Sequence, residues 1–250
     1  MGLIIREVIA KTILSKSGIP GADYCLNPYT GCSHACLYCY ASFMKRFTGH
    51  TEPWGTFVDI KTNAPEVLQR QLKRAVKGSV IISSVTDAYQ PLEEKYKITR
   101  QCLEILLQHG FPVDILTKSP LVLRDMDIIR QFKDIEVGIT VTTDDDKIRK
   151  IFEPKAPPIE SRIHALKTLH KNGIRTYAFI GPVLPMVPEA LCERLFPHVD
   201  HVYIDRMNYT FKTLNIYRRL RLQQWLDEAF TDQIIERLED CFGKKDVSTL

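Results

Sequence analysis

Three cysteines lie close together in Asn27-Pro-Tyr-Thr-Gly-Cys32-Ser-His-Ala-Cys36-Leu-Tyr-Cys39-Tyr40. Their spacing is C-x3-C-x2-C, on a loop that opens with Gly31. Three thiolates so placed can grip three corners of a cubane 4Fe–4S cluster, which usually takes four cysteines. Three leave one iron open to chelate a substrate, by the logic that separates open catalytic zinc sites from closed structural ones. Two other arrangements use the same loop. Cys32, Cys36 and Cys39 with His34 could bind zinc as Cys3His, although zinc spacings usually show two separated pairs. Cys25 could add a fourth ligand and close the cluster. Cys102, on the apolar face of a helix, reads as core. Cys192 and Cys241 have no partner pattern.

The elements that must carry this loop alternate. Asn63 is a plausible N-cap for a helix to about Lys77, with Pro65 and Glu66 in its first turn. Apolar runs at Ser79–Val85, Pro112–Thr117, Ile135–Thr142, Ile174–Ile180 and His201–Asp205 read as buried strands. Between them lie helical patterns at Lys97–Gln108, Leu121–Phe132, Asp144–Phe152, Ile159–Asn172 and Pro188–Phe196, then a closing helix at about Ile216–Cys241. Short apolar strands alternating with amphipathic helices imply a parallel sheet. With a short first strand near Tyr24–Pro28 there are six strand–helix units. A closed barrel needs eight. The expectation is therefore an α/β fold, a partial (β/α)6 TIM-like barrel with parallel strands, its chemistry at the C-terminal strand ends. It would form a single domain over residues 1–250, with the barrel core at about 22–209.

The composition agrees. The chain has 250 residues, 44% hydrophobic and 26% charged, ordinary values for a globular protein. No uncharged apolar run of about 18 residues is present, which excludes a membrane-spanning helix, and the start is too broken by Arg6 and Lys11 for a secretory signal. A cytoplasmic protein without a membrane partner is expected. Seven cysteines without a signal point to reduced thiols rather than a disulfide scaffold. The net charge of +4 is compatible with nucleic acid without requiring it. Between Asp205 and Asp227 there is no acid, while Arg206, Lys212, Arg218, Arg219 and Arg221 accumulate beside Tyr209, Phe211, Tyr217 and Trp225. That mixture suits phosphate contacts plus base stacking. It equally suits an amphipathic stretch whose long stems cover apolar surface.

The C-x3-C-x-aromatic-C form, with Tyr38 in the aromatic slot, resembles the radical S-adenosylmethionine (SAM) superfamily. The stretch Asn27–Ala41 is similar to its spore-photolyase-like branch. The likeness continues in Ser84–Glu93, Leu116–Ser119, Gly138–Thr143, Glu153–Pro157 with Arg162, and Gly181–Pro185. The resemblance implies that Cys32, Cys36 and Cys39 hold a 4Fe–4S cluster whose open iron binds SAM. One electron, from a donor such as ferredoxin or flavodoxin, would cleave SAM to a 5′-deoxyadenosyl radical that abstracts hydrogen from a substrate. The cofactors carry such chemistry and the protein positions them.

The same resemblance implies SAM contacts. Ser84, Thr86 and Asp87 would accept from the methionine ammonium, and Lys118 would pair with its carboxylate. Thr140 and Thr142, on one strand face by period two, would bond the ribose or carboxylate. Glu153 and Arg162 would reach the ribose side or pair with each other. Tyr40 and Val183 would flank the adenine. The branch's hydrogen-returning cysteine near the second strand is Ser84 here, and an O–H bond is a far worse hydrogen donor than S–H. Cys25 could substitute only if the fold aims it into the barrel. The expected substrate is a nucleic-acid lesion or base, with DNA or RNA as partner. The alternatives are the same chemistry on a small molecule or peptide, and a non-catalytic metal-binding module that docks nucleic acid or protein.

Overall fold

The computed structural model describes residues 2–243 and 245–250. Among these residues eleven strands run in chain order: β1 (Ile4–Val8), β2 (Leu14–Lys16), β3 (Tyr24–Leu26), β4 (Tyr29–Thr30), β5 (Phe57–Lys61), β6 (Val80–Ile82), β7 (Val113–Thr117), β8 (Ile135–Thr140), β9 (Arg175–Ile180), β10 (His201–Ile204) and β11 (Asp246–Thr249). The main sheet has the order β11-β10-β9-β8-β7-β6-β3-β2. All its pairings are parallel except β2 with β3. Among the described residues it ends at β11 on one side and β2 on the other. The six expected strands are β3, β6, β7, β8, β9 and β10, the C-terminal strand β11 extends them, and the partial barrel holds.

Alternation along each strand separates two environments. Val80, Ile82, Val113, Ile115, Val137, Ile139, Ala178, Ile180, Val202 and Ile204 belong to one continuous core. The helices cover this outer face. Residues of opposite parity, including Ile81, Asp114, Leu116, Thr140, Tyr177, Phe179 and Tyr203, line the concave face, the lumen. A second small sheet, β1-β5-β4, lies beside the cysteine loop.

Three local readings need correction. Asn63 does not cap the following helix, Ala64–Leu72; its side-chain amide bonds both the N–H and the C=O of Ala10. The closing helix is two helices, Leu214–Leu220 and Glu228–Phe242. They separate because Arg221 turns left-handed (φ 58°) and Asp227 caps the second helix through Phe230 N–H at 2.9 Å. The Leu121–Phe132 pattern is a 3-10 turn, Pro120–Asp125, followed by one short helix, Met126–Ile129.

Candidate active site

Gly31 begins the cysteine loop with φ +89°, and a Cβ there would sit 2.4 Å from the Phe57 carbonyl oxygen. Only glycine permits that approach to β5. Ala35, between two of the cysteines, is also left-handed (φ 55°). The loop is tied down on several sides. Leu37 N–H donates to Phe152 O at 2.9 Å and Lys155 N–H to His34 O at 3.2 Å. Ser33 N–H donates to Gln90 Oε1 at 3.0 Å, and the Thr86 hydroxyl to Gly31 O at 2.6 Å. Lys212 Nζ donates to Cys39 O at 2.6 Å and to Ser42 Oγ at 2.7 Å.

Cys32, Cys36 and Cys39 open into one cavity of about 510 Å³, with Tyr40, Ser84, Thr86, Asp87, Lys118 and Thr140 in its wall. Burial pushes the Cys36 thiol up to about 12 against the charge of Lys118, and raises Cys32 and Cys39 as well. Such thiols stay protonated unless a metal offsets their charge. Burial also pushes the Tyr40 phenol up to about 12, helped by Cys39 and Cys25. Its hydroxyl donates to the Ser84 carbonyl. Cys25 is buried and paired in register with Ile81, which lines the cavity; Cys25 itself does not.

The polar residues divide by what they already bind. Asp87 accepts from the Thr117 hydroxyl at 2.6 Å, Lys118 N–H at 2.9 Å and Tyr89 N–H at 2.9 Å, and lies 3.2 Å from His34 Nε2. Burial alone would raise this carboxyl; His34 and these hydrogen bonds outweigh it and hold it well below the usual range. Asp87 therefore braces the cysteine loop against the ends of β6 and β7. Ser84 Oγ accepts from Asn27 Nδ2 at 3.1 Å. Lys118 Nζ stands between Glu153, 3.8 Å away, and the Tyr38 ring.

Thr142, Glu153, Arg162 and Val183 do not line the cavity. β8 ends at Thr140, so period two does not carry Thr142 onto the same face. The Thr142 hydroxyl instead donates to Glu153 at 3.2 Å. Glu153 and Arg162 are fully buried and paired with each other, and the Tyr38 hydroxyl donates to Glu153. Val183 packs in the core, its N–H donating to Asp205 O at 2.9 Å. Ser83 was not foreseen. It is left-handed (φ 68°), lines the cavity and keeps a buried hydroxyl without a partner among the described residues. Nothing in Ser83-Ser84 distinguishes the two before the backbone is known.

The basic–aromatic stretch also divides. Tyr217 and Trp225 are core residues. Tyr209 lines the cavity mouth and Phe211 is 74% exposed next to it. Arg206 pairs with Asp232, whereas Arg218, Arg219 and Arg221 are exposed.

The family model for the Radical SAM superfamily matches residues 26–196. An uncharacterized protein of Methanocaldococcus jannaschii is 44% identical over 206 residues, covering 82% of this chain and 78% of that one. A radical SAM Nα-GlyT isomerase of Pseudomonas phage M6 is 25% identical over 161 residues, covering 63% of this chain and 32% of that one. Among solved structures, spore photoproduct lyase complexed with dinucleoside spore photoproduct superposes with a TM-score of 0.72 at 13% identity, covering 98% of this chain and 82% of that one. At that identity the likeness speaks for the fold, an open parallel barrel of the same kind. No helix among the described residues is long and apolar enough to cross a membrane. Because the family match spans well over half of the chain and contains the whole cysteine loop, this protein belongs to the radical SAM superfamily, whose enzymes work with a 4Fe–4S cluster and SAM.

Proposed function

We propose that the chain cleaves SAM at a cluster held by Cys32, Cys36 and Cys39 and turns the resulting radical on a nucleic-acid base or lesion. When bound, the cluster and SAM would supply a 5′-deoxyadenosyl radical on receipt of one electron from a donor such as ferredoxin or flavodoxin. The donor set suits a cluster better than a single ion. The three thiols share one cavity, and Cys25 is not in its wall. A cubane wants its thiolates spread over corners, whereas zinc gathers four ligands about one point.

The chain's own residues prepare the site. Lys118 provides a positive charge beside Cys36 and Cys39 and is placed to meet a carboxylate. Ser83 and Thr140 offer hydroxyls to the cavity, and Tyr40 covers it where the loop leaves. Apolar walls of Ile81, Leu116 and Phe179 limit water beneath, which protects a reactive intermediate.

The observation that carries the nucleic-acid reading is a pair of acid-free segments that each give part of the cavity wall, at Cys32–Ala41 and at Arg206–Tyr209. Residues 24–51 and 206–226 contain no Asp or Glu. Lys212 ties these two acid-free segments together at Cys39 and Ser42. On them Phe47 and Phe211 are 69% and 74% exposed, Arg46 lies over the rings of Phe43 and Phe47, and Lys212 over Tyr209. Exposed aromatic rings among cations that, Arg206 apart, have no carboxylate partner among the described residues fit splayed bases and phosphates. The test is binding of a single-stranded DNA oligonucleotide at two salt concentrations. Affinity that falls steeply with salt, and falls again in Phe211→Ala, is expected. Salt-independent or absent binding to DNA and RNA would refute the nucleic-acid reading and leave a small molecule or peptide as substrate.

A further inference from the structure

Below the cysteines the lumen ends in a second polar group of side chains that the proposed chemistry leaves unused. Asp114 on β7 lines the cavity four residues before Lys118, about 13 Å deeper at roughly 3.3 Å per residue. The Tyr177 hydroxyl reaches it across β8 and donates at 2.8 Å. That reach depends on Gly138, where a Cβ would lie 2.1 Å from the Tyr177 ring. His201 stacks on Tyr177 with centroids 5.0 Å apart, and Tyr203 stands edge-on to both. His201 is 5% exposed, yet among the described residues neither ring nitrogen has a hydrogen-bond partner. Its Nδ1 lies 3.2 Å from Glu136 Oε1, which also lacks a hydrogen bond although Arg175 Nε is 3.1 Å away.

The charges at this floor do not balance. Glu136 has Arg175 beside it; Asp114 has no cation within ion-pair distance among the described residues. Burial pushes Asp114 up to about 6, the Tyr177 hydrogen bond holding it back, so it stays largely ionised at neutral pH. A half-buried carboxylate whose one donor among the described residues is a phenol lacks its natural counter-charge. Around it stand the faces and edges of three aromatic rings, Tyr177, His201 and Tyr203, surfaces that favour a cation or a planar ring.

We propose that the lumen floor, Asp114 with Tyr177 and Tyr203 backed by His201, is a recognition site for an amine-bearing aromatic group of the substrate. The ammonium or amino N–H groups meet Asp114 and the ring lies against the tyrosines. This rests on the reading of the same cavity as a radical site, since it places the substrate's amine beneath the position of SAM.

Benzylamine and benzyl alcohol share a ring and differ in the cation, and their binding to the anaerobically reconstituted protein can be compared by ligand-observed NMR. Benzylamine is expected to bind at least tenfold more tightly. Asp114→Asn, which keeps size and shape, is expected to reduce that preference at least fivefold and leave benzyl alcohol unchanged. Tyr203→Phe keeps the ring, removes a hydroxyl that gives Asp114 no hydrogen bond, and should retain the preference, which separates charge recognition from general loss of packing. Cys36→Ala should retain it too, because the floor is separate from the thiols. Equal binding of the two probes, binding of neither, or an undiminished preference in Asp114→Asn overturns the proposal. An intact amine preference in protein that makes no 5′-deoxyadenosine would instead overturn the radical reading and leave the floor site standing.

Discussion

Replacing Arg162 by Met keeps the aliphatic stem and removes a buried guanidinium. That group donates to Glu153, to Pro157 O at 2.9 Å and to Thr140 O at 3.1 Å. Glu153 would be left with two hydroxyl donors and Lys118 at 3.8 Å. Breaking one side of a buried ion pair costs about 3–5 kcal/mol. The shift of the Glu153 carboxyl corresponds to a similar figure. Burial would raise Glu153, but Arg162 and Lys118 outweigh it and lower the carboxyl from 4.5 to about 2. That depression corresponds to about 3 kcal/mol. The sign follows from a depressed folded value: the stabilisation is full above pH 4.5 and is lost as pH falls toward 2. In a chain of this size each kcal/mol moves Tm by ~2–4 °C, so Arg162→Met should melt roughly 6–20 °C lower at pH 7. The double variant Glu153→Gln/Arg162→Met leaves no unpaired charge and should recover about 2 kcal/mol. Thermal unfolding followed by circular dichroism at pH 7 and across pH 5 to 3 reads both effects. A loss below about 1 kcal/mol in Arg162→Met, or a double variant no better than the single, would show that this pair does not brace the loop.

Other consequences follow from the same geometry. Gly31→Ala meets the Phe57 carbonyl at 2.4 Å with φ +89° and should lower stability by more than about 2 kcal/mol, with reduced iron loading measured by metal analysis. Lys118→Met removes the cation beside Cys36 and should weaken SAM binding at least tenfold by equilibrium dialysis, while iron content holds; unchanged affinity would remove Lys118 from the carboxylate role. Lys212→Ala cuts the tie between the two acid-free segments and should reduce both oligonucleotide affinity and its salt slope by about one ion, whereas an unaltered slope would place the phosphate path elsewhere.

Chain-local signals survived folding best. The cysteines lie within residues 32–39, so their shared cavity was legible in the spacing, and apolar runs marked the strands because both faces of a parallel sheet are covered. β11 was not legible: Asp246-Val-Ser-Thr249 is short and polar, and its role comes from pairing with β10. Ile216–Cys241 read as one helix because its apolar residues keep helical period across the break, which Asp227 marks only as a cap. Thr142, Glu153, Arg162 and Val183 could be grouped by sequence, but which side of the loop they face depends on where β8 stops. Asp114, Tyr177 and His201 are scattered over 88 positions and meet only through strand register and the missing side chain at Gly138.

The central claim is SAM cleavage at three thiolates. Anaerobically reconstituted protein, reduced chemically in the presence of SAM, should form 5′-deoxyadenosine, and Cys36→Ala should form none while also losing its iron. Wild-type protein with a full iron–sulfur complement that makes no 5′-deoxyadenosine, or a Cys36→Ala variant that still makes it, would contradict the account.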